Sequence, residues 1–571
     1  MKNKGQTFIK GAMILAIANL IVKIIGAVFK IPLYELIGKD GSGLFNVAYQ
    51  IYTFMFIIAT AGFPIAVSKM VAESEALGKT GDSKKIFRTA FYLLSCIGLT
   101  GTVILLLFSN QLAGALGNPD AAMVIRTIAP AVFFVAIVCA FRGYFQGTQN
   151  MYPTAFSEVI EALAKLLIGY ICAYFVMKMA VNPNTNVIDF TGRTVENSAV
   201  KTQYAASGAI LGVTAGTILS LLLMLVITLA KKRNANKIKA TRTYRDILKE
   251  LVLIAIPITI GASVSSLTSL VDLATVMNRL VVNPEVFDSY SHLFAEGTDF
   301  AHKALENGWQ GAELLRQKAN SLYGMYTGQA QTMFNLPLAI VVAISMSAVP
   351  AISGLYAEKR DLEARTTINS VLRITSLFAM PCAIGLSVLS KEILALLYSD
   401  SDAYLLLQKL AIAVIFVGIV QVTNGILQAS GKVYFPVFTM LIGGIVKVTV
   451  NYFGIPIWGI DGAPIATNLC YGTIAVLNII CIVKILKVKF SLMDIILKPL
   501  AAAGIMGAIT AFGYSFIAGI IGAGKIATIL AIGIGGVVYL LSIVLLKAVH
   551  KEDLLSLPKG EMLAEKLWFI K

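Results

Sequence analysis

Asp120–Gln146 reads DAAMVIRTIAPAVFFVAIVCAFRGYFQ, and Asp402–Gln428 reads DAYLLLQKLAIAVIFVGIVQVTNGILQ. Aligned without a gap at an offset of 282 residues, 11 of the 27 positions are identical, among them Asp120/Asp402, Phe134/Phe416, Gly143/Gly425 and Gln146/Gln428. A proline follows each copy (Pro153, Pro436), and a lysine beyond it returns to the same offset (Lys165, Lys447). Apolar drift alone would match Leu, Ile and Val. It would not also place the Asp, Gly, Gln and Lys, so the chain reads as a duplicated unit.

The nature of that unit follows from composition. Of 571 residues, 57% are apolar and 14% charged, with a mean hydropathy of +0.79; soluble domains carry about 25% charged residues. Apolar stretches of about 20 residues between short polar breaks predict transmembrane helices, because open sheets leave unpaired edges in lipid. Fourteen spans are expected, near 10–31, 45–68, 84–108, 121–145, 154–180, 205–230, 247–278, 326–350, 366–390, 404–427, 436–456, 462–483, 496–519 and 526–548. Lys23 interrupts the first, and no small-residue cleavage site follows it, so the start of the chain is expected to be a span rather than a cleaved signal.

The net charge of +16 raises nucleic acid as a partner, but its distribution follows the positive-inside rule. Lys79, Lys84, Lys85 and Arg88 fall on the same side as Lys231, Lys232, Arg233, Lys237, Lys239, Arg242 and Arg245, and the loop 109–119 opposite has no basic residue. Both termini are therefore expected in the cytoplasm. The six Cys lie in or beside apolar spans without C-x-x-C spacing and read as small core residues.

The repeat adds geometry. Each copy falls on the fourth span of a six-span set, so spans 1–6 match spans 7–12. Six being even, the halves share an orientation, and their pseudo-two-fold runs along the membrane normal. The expected organisation is an N-lobe at 1–230, a basic cytoplasmic linker at 231–246, and a C-lobe at 247–490 with a polar outer loop at 283–321. Spans 13 and 14 follow at 491–548, then an amphipathic cytoplasmic tail at 549–571.

Ionisable groups inside a span cost about 3 kcal/mol or more, and so pair or face a cavity. Span 5 carries Glu158, Glu161 and Lys165 on one helical face. They read either as a Glu161–Lys165 ion pair knitting the lobe or as a cavity wall. Lys447 recurs in the second copy without either Glu, which favours a cavity role for both lysines. Lys23 has no acid within a helical turn and reads as a cavity cation. Arg142 lies in the turn R-G-Y-F-Q-G after span 4, where it either snorkels to the interface or meets a phosphate. Asp272, seven residues before Arg279 on the same face, either neutralises Lys23 or takes a coupling ion. Three His leave little for a metal site, and neither a P-loop nor a G-x-S-x-G motif occurs.

These spans, the 6+6 duplication with two extra helices, and the R-G-Y-F-Q-G hairpin resemble polysaccharide flippases of the multidrug/oligosaccharidyl-lipid/polysaccharide exporter superfamily. Gly41-Ser-Gly-Leu-Phe-Asn-Val-Ala-Tyr49 and Ala61-Gly-Phe-Pro-Ile-Ala-Val-Ser68 look like the branch of stage V sporulation protein B and related lipid II flippases. The resemblance implies a non-enzymatic transporter in a bacterial plasma membrane. It would move undecaprenyl-diphosphate-linked precursors, lipid II foremost, from inner to outer leaflet by alternating access around a cationic cavity. Spans 13 and 14 would then form a groove for the lipid tail. It implies no cofactor, with H+, Na+ or the membrane potential as candidates for coupling. Expected partners are the lipid-linked glycan, membrane lipids and cell-wall synthesis proteins, around a monomer that binds no nucleic acid. Lys23 sits where such flippases carry a basic residue in the first helix. Spans 2 and 8 lack the family's basic residues, and Lys165 and Lys447 stand as substitutes. The alternatives are a flippase for teichoic acid, capsule or O-units, a cation-coupled drug antiporter, and a membrane glycan polymerase using Glu285, Asp288 or Asp299.

Overall fold

The computed structural model describes residues 2–178, 187–188, 194–195, 198–230 and 241–550. Apart from an antiparallel pairing of Val187–Ile188 with Thr194–Val195, every regular element in them is helical. Among the described residues nine helical stretches are long and apolar enough to cross a membrane. They become ten when Tyr404–Ala411 and Ala413–Ala429, bent by 41°, count as one span. Two of the nine, Ile17–Ala76 and Tyr434–Ile485, run to 60 and 52 residues, against the roughly 20 that one crossing takes. The described residues are those of a predominantly helical, multi-pass membrane protein.

It divides into two compact units, Met1–Gly328 and Gln329–Lys571. The first holds α1 (Lys2–Thr60), α2 (Phe63–Ala76), α3 (Thr80–Leu107), α4 (Ser109–Ala115), α5 (Ala122–Gly147), α6 (Tyr152–Lys178), α7 (Ser198–Ala230), α8 (Tyr244–Leu280), α9 (Asp299–Asn307) and α10 (Gly311–Met325). The second holds α11 (Gln331–Ala357), α12 (Asp361–Val388), α13 (Ser390–Leu397), α14 (Tyr404–Ala411), α15 (Ala413–Ala429), α16 (Tyr434–Trp458), α17 (Gly462–Ile485), α18 (Lys498–Ile521) and α19 (Lys525–Leu545).

This division lies beyond the linker at 231–246, of which residues 231–240 fall outside the described residues. By packing, α8 belongs to the first unit. Its Ile247, Leu251 and Ala255 are buried with Phe63, Val67 and Met70 of α2, Ile86 and Leu94 of α3, and Ala140 of α5. Gly62 permits the approach, since a Cβ there would sit 2.1 Å from the Ala255 carbonyl oxygen. Asp82 at the start of α3 accepts the backbone N–H groups of Thr241 and Arg242 at 2.7 and 3.0 Å, which ties the chain entering α8 to α3. Thr243 then caps α8 by accepting from the Asp246 N–H. A boundary between sequence repeats and a boundary between packed bodies answer to different constraints.

Within α1, Gly38 adopts φ 69°, ψ −173°, a conformation open to glycine and strained for residues with a Cβ. The helix bends there, and the segment just beyond it anchors the polar stretch at 283–321. That stretch is not an irregular loop. It folds as a 3-10 turn over Pro284–Leu293 followed by α9 and α10, around Phe287, Phe294, Phe300 and Trp309. Lys303 reaches Asp40 at 3.1 Å and Asp299 at 2.8 Å. Burial opposes the Lys303 ammonium, but Asp40 and Asp299 outweigh it and raise its pKa above the ordinary lysine value. Asn320 donates to the Asp40 carbonyl at 3.1 Å and accepts from Asn118 at 2.6 Å. Gln317 donates to Asp120, the first residue of the repeat, at 2.5 Å. Glycines bring α10 against α1: a Cβ on Gly324 would fall 1.8 Å from the Lys39 carbonyl oxygen.

In the second unit Val341 and Ile352 of α11, Ile368 and Leu372 of α12, Ile426 of α15 and Ile482 of α17 form one core. Helices α18 and α19 add Ala502, Met506 and Tyr539 to Met380 of α12, and the Tyr539 hydroxyl donates to the Leu377 carbonyl at 2.5 Å. Their remaining faces are apolar and exposed, with Phe512 and Phe516 foremost, as a lipid-facing surface requires. The tail at 551–571 lies outside the described residues.

Candidate functional site

A cavity of about 400 Å³ lies inside the first unit, between α1, α5, α6 and α7, and its wall includes Lys23, Arg142, Glu158, Glu161 and Lys165. Five of the eight sequence candidates are thus brought together. Helical spacing explains the α6 contribution: Ser157, Glu158, Glu161 and Lys165 recur at intervals that keep them on one side of the helix. Small residues hold α6 against α7, since a Cβ on Gly212 would lie 2.5 Å from the Gly169 Cα. That close contact fixes the depth of the wall.

Arg142 is not a snorkelling residue. It is 7% exposed, and its guanidinium donates to Glu161 at 2.9 Å, Ser157 Oγ at 3.0 Å and Ser220 Oγ at 3.4 Å. Glu161 therefore pairs with Arg142 across the helices instead of with Lys165 along its own. Lys165 has no carboxylate within ion-pair distance among the described residues. Its ammonium lies 4.0 Å from the ring centroid of Tyr49 and 5.4 Å from that of Phe29. Aromatic faces attract a cation without taking up its hydrogen-bond donors as a carboxylate would. Lys23 lines the cavity and is itself exposed.

Two features were missed in the sequence. Lys30 follows Lys23 by seven residues on the same face, approaches Asn46 Oδ1 at 3.5 Å, and lies within electrostatic reach of Lys165. Its position next to the expected end of the first span hid it. A ladder of rings, Phe45, Tyr49, Tyr52 and Phe56, runs along α1 with centroids 5.7, 6.0 and 5.8 Å apart. Phe29, from before the Gly38 bend, joins it at 5.9 Å from Phe45. The spacing of three and four was visible; only the bend brings Phe29 alongside.

The other candidates lie elsewhere. Asp272 is buried in α8, within electrostatic reach of Tyr323 of α10 and away from the cavity wall. Arg279 occupies the last turn of the same helix, where a cation offsets the carbonyl end of the dipole. Lys447 is buried in α16 of the second unit. Nearer the start of α16 the second copy of the repeat builds its own interhelical junction. Asn478 donates to Thr423 at 3.0 Å and to Asn424 at 2.8 Å, and accepts from Thr439 at 2.7 Å. Asn424, Thr439, Met440, Gly443 and Lys447 occupy, at the offset of 282, the places of Arg142, Ser157, Glu158, Glu161 and Lys165. Polar side chains thus join α5, α6 and α7 through a charged pair, and α15, α16 and α17 through neutral groups.

Chemically, this arrangement is suited to an anion. Among the described residues, Lys23 and Lys165 in the cavity wall and Lys30 beside Lys165 have no carboxylate at ion-pair distance, and the wall also offers aromatic faces. No group of three or more His, Cys, Asp or Glu among the described residues is placed to hold a metal ion.

Comparison with known proteins agrees with this picture. The chain is 23% identical over 560 residues to stage V sporulation protein B of Bacillus subtilis (strain 168), covering 97% of this chain and 98% of that one. It is 25% identical over 489 residues to lipid II flippase MurJ of the same organism, covering 82% and 81%. A solved structure of lipid II flippase MurJ in an inward closed conformation shares the fold, with a TM-score of 0.59 at 14% identity over 93% of this chain and 98% of that one. Residues 318–532 match the family profile of lipid II flippase MurJ. The likenesses to lipid II flippase MurJ are to a transporter rather than to an enzyme. Residues 8–356, more than half of the chain, match the profile of the polysaccharide biosynthesis proteins, and the chain belongs to that family.

Proposed function

We propose that this protein is a flippase that moves an undecaprenyl-diphosphate-linked cell-wall precursor, lipid II foremost, from the inner to the outer leaflet of a bacterial plasma membrane by alternating access. The observation that carries the reading is the cavity of the first unit, with Lys23 and Lys165 in its wall and Lys30 beside it. A diphosphate diester carries two negative charges, which cations stabilise strongly where water is scarce. Lysine binds as a point charge and releases its ligand more readily than a bidentate Arg, as a carrier must. The rings of Tyr49, Tyr52 and Phe56 suit the apolar faces of sugar rings or the first isoprenoid units.

The same reading gives the chain fourteen membrane helices, as a 6+6 duplication with both termini in the cytoplasm, and assigns α18 and α19 to the lipid tail. The matching starts of α6 and α16, Tyr152 and Tyr434, at the repeat offset support the duplication. Moving a negative headgroup outward is favoured by an inside-negative potential, by about 2.3 kcal/mol per charge per 100 mV, so transport needs no nucleotide. The nearest alternative keeps this mechanism for another lipid-linked glycan.

Exposure of lipid II at the outer leaflet, scored by an added enzyme that cleaves only outward-facing headgroups, tests the proposal in cells depleted of the protein. Loss on depletion, with rescue by wild type and not by Lys23→Ala at equal abundance, is the expected result. Unchanged exposure in depleted cells would move the assignment to teichoic-acid, capsule or O-unit precursors.

A further inference from the structure

We infer that Glu158 is a proton-binding site, and that occupancy of the cavity by an anion is linked to uptake of a proton there. The first observation is how the neighbouring charges are used. Arg142 spends its donors on Glu161, Ser157 and Ser220 and makes no hydrogen bond to Glu158. One oxygen of Glu158, Oε2, is buried without a hydrogen-bond partner among the described residues. Two carboxylates thus stand beside one guanidinium, and only Glu161 is paired with it. A buried carboxylate oxygen with no donor is costly, and binding a proton removes the charge that makes it so. The step is simple: a hydronium proton forms an O–H bond on Glu158 Oε2 and leaves water, and release reverses it.

The second observation is an internal control. At the matching positions of the second repeat Asn424 contacts the Met440 sulfur at 3.8 Å, and Gly443 stands in place of Glu161. The same three-helix junction is built there with no ionisable group. The fold therefore does not require an acid at this place, and the carboxyl of Glu158 is free to serve another end. Buried ion pairs are in general replaceable by neutral packing.

The charged and titratable groups around the cavity set the linkage. From α5 these are Arg142 and Cys139, from α6 itself Glu161 and Lys165, and from α1 Lys23, Tyr49 and Tyr52, with Lys30 beside Lys165 and the neutral Ser220 of α7 on Arg142. With Glu158 ionised, the wall residues Lys23, Lys165, Arg142, Glu158 and Glu161 sum to one positive charge; with it protonated they sum to two. An anion on the lysines therefore favours the protonated form, and by reciprocity the proton tightens the anion. A proton suits the place better than a metal cation, because Glu161 is already paired with Arg142 and no metal-holding group is present among the described residues. Only the identity of the anion rests on the flippase reading.

The test uses the full chain reconstituted in phosphatidylglycerol vesicles, as wild type, Glu158→Gln and Glu158→Met, the last reproducing the packing at Met440. Infrared difference spectra between about pH 9 and about pH 5 follow the carbonyl stretch of protonated carboxyls. In parallel, calorimetric titration with farnesyl diphosphate in buffers of different ionisation enthalpy counts protons taken up on binding. The expected result is one titrating carboxyl component in wild type that both variants lack, and proton uptake that both variants abolish. A spectrum unchanged by either substitution overturns the proton site. Uptake equal in wild type and variants overturns the linkage. If farnesyl diphosphate does not bind wild type at all, the linkage and the cationic-site reading fall together, and the infrared component still decides the proton site by itself.

Discussion

Arg142 and Glu161 offer the sharpest test of how the first unit is held together. Their ion pair, 2.9 Å long with side chains 8% and 21% exposed, ties α5 to α6, and the Ser220 contact extends the tie to α7. Arg142→Asn leaves Glu161 buried opposite a neutral amide. Removing one partner of a buried pair costs about 3–5 kcal/mol, mostly from the charge left behind. The second repeat shows a neutral solution at the same positions. Copying its three residues at the offset of 282, as Arg142→Asn with Glu158→Met and Glu161→Gly, removes Arg142 and both carboxylates from the junction and should recover most of that loss, leaving about 1–2 kcal/mol for the glycine in a helix and imperfect packing. Thermal unfolding in detergent, followed by the loss of monodisperse protein, reads the order: wild type highest, the triple variant a little below, the single variant well below. A single variant as stable as wild type, or a triple variant less stable than the single one, would refute the argument that uncompensated charge dominates.

Three further outcomes follow from the same structure. Lys165→Met should keep the packing against Tyr49 and Phe29 while lowering outward exposure of the transported lipid at least about tenfold, a loss of about 1.4 kcal/mol or more; Lys165→Arg should restore part of it in the same leaflet assay. Gly324→Ala places a methyl 1.8 Å from the Lys39 carbonyl oxygen, whereas Gly26→Ala meets open space; the first should cut the yield of folded protein sharply and the second should not, as gel filtration of extracts will show. Lys303→Met removes the link from α9 to Asp40, so amide hydrogen exchange should quicken across 283–321 and remain unchanged in α5 and α6.

Much of this protein was legible before any coordinate. Apolar runs dictated membrane helices because lipid gives unpaired backbone groups no partner. The pairing of Asp120–Gln146 with Asp402–Gln428 points to a duplication, since polar residues at a constant offset do not arise from hydrophobicity alone. The face shared by Glu158, Glu161 and Lys165 followed from helical period. The choice of partners did not. Spacing along α6 offered Lys165 to Glu161, but a guanidinium from α5 reaches it, because interhelical distances depend on glycines such as Gly169 and Gly212 whose contacts no single helix specifies. Phe29 joined the ring ladder only through the bend at Gly38. The first compact unit came to include α8 because Leu251 and Ala255 found their burial against α2 and α3. Periodicity is local and survives in sequence; which charged group ends beside which is decided by packing between segments far apart in the chain.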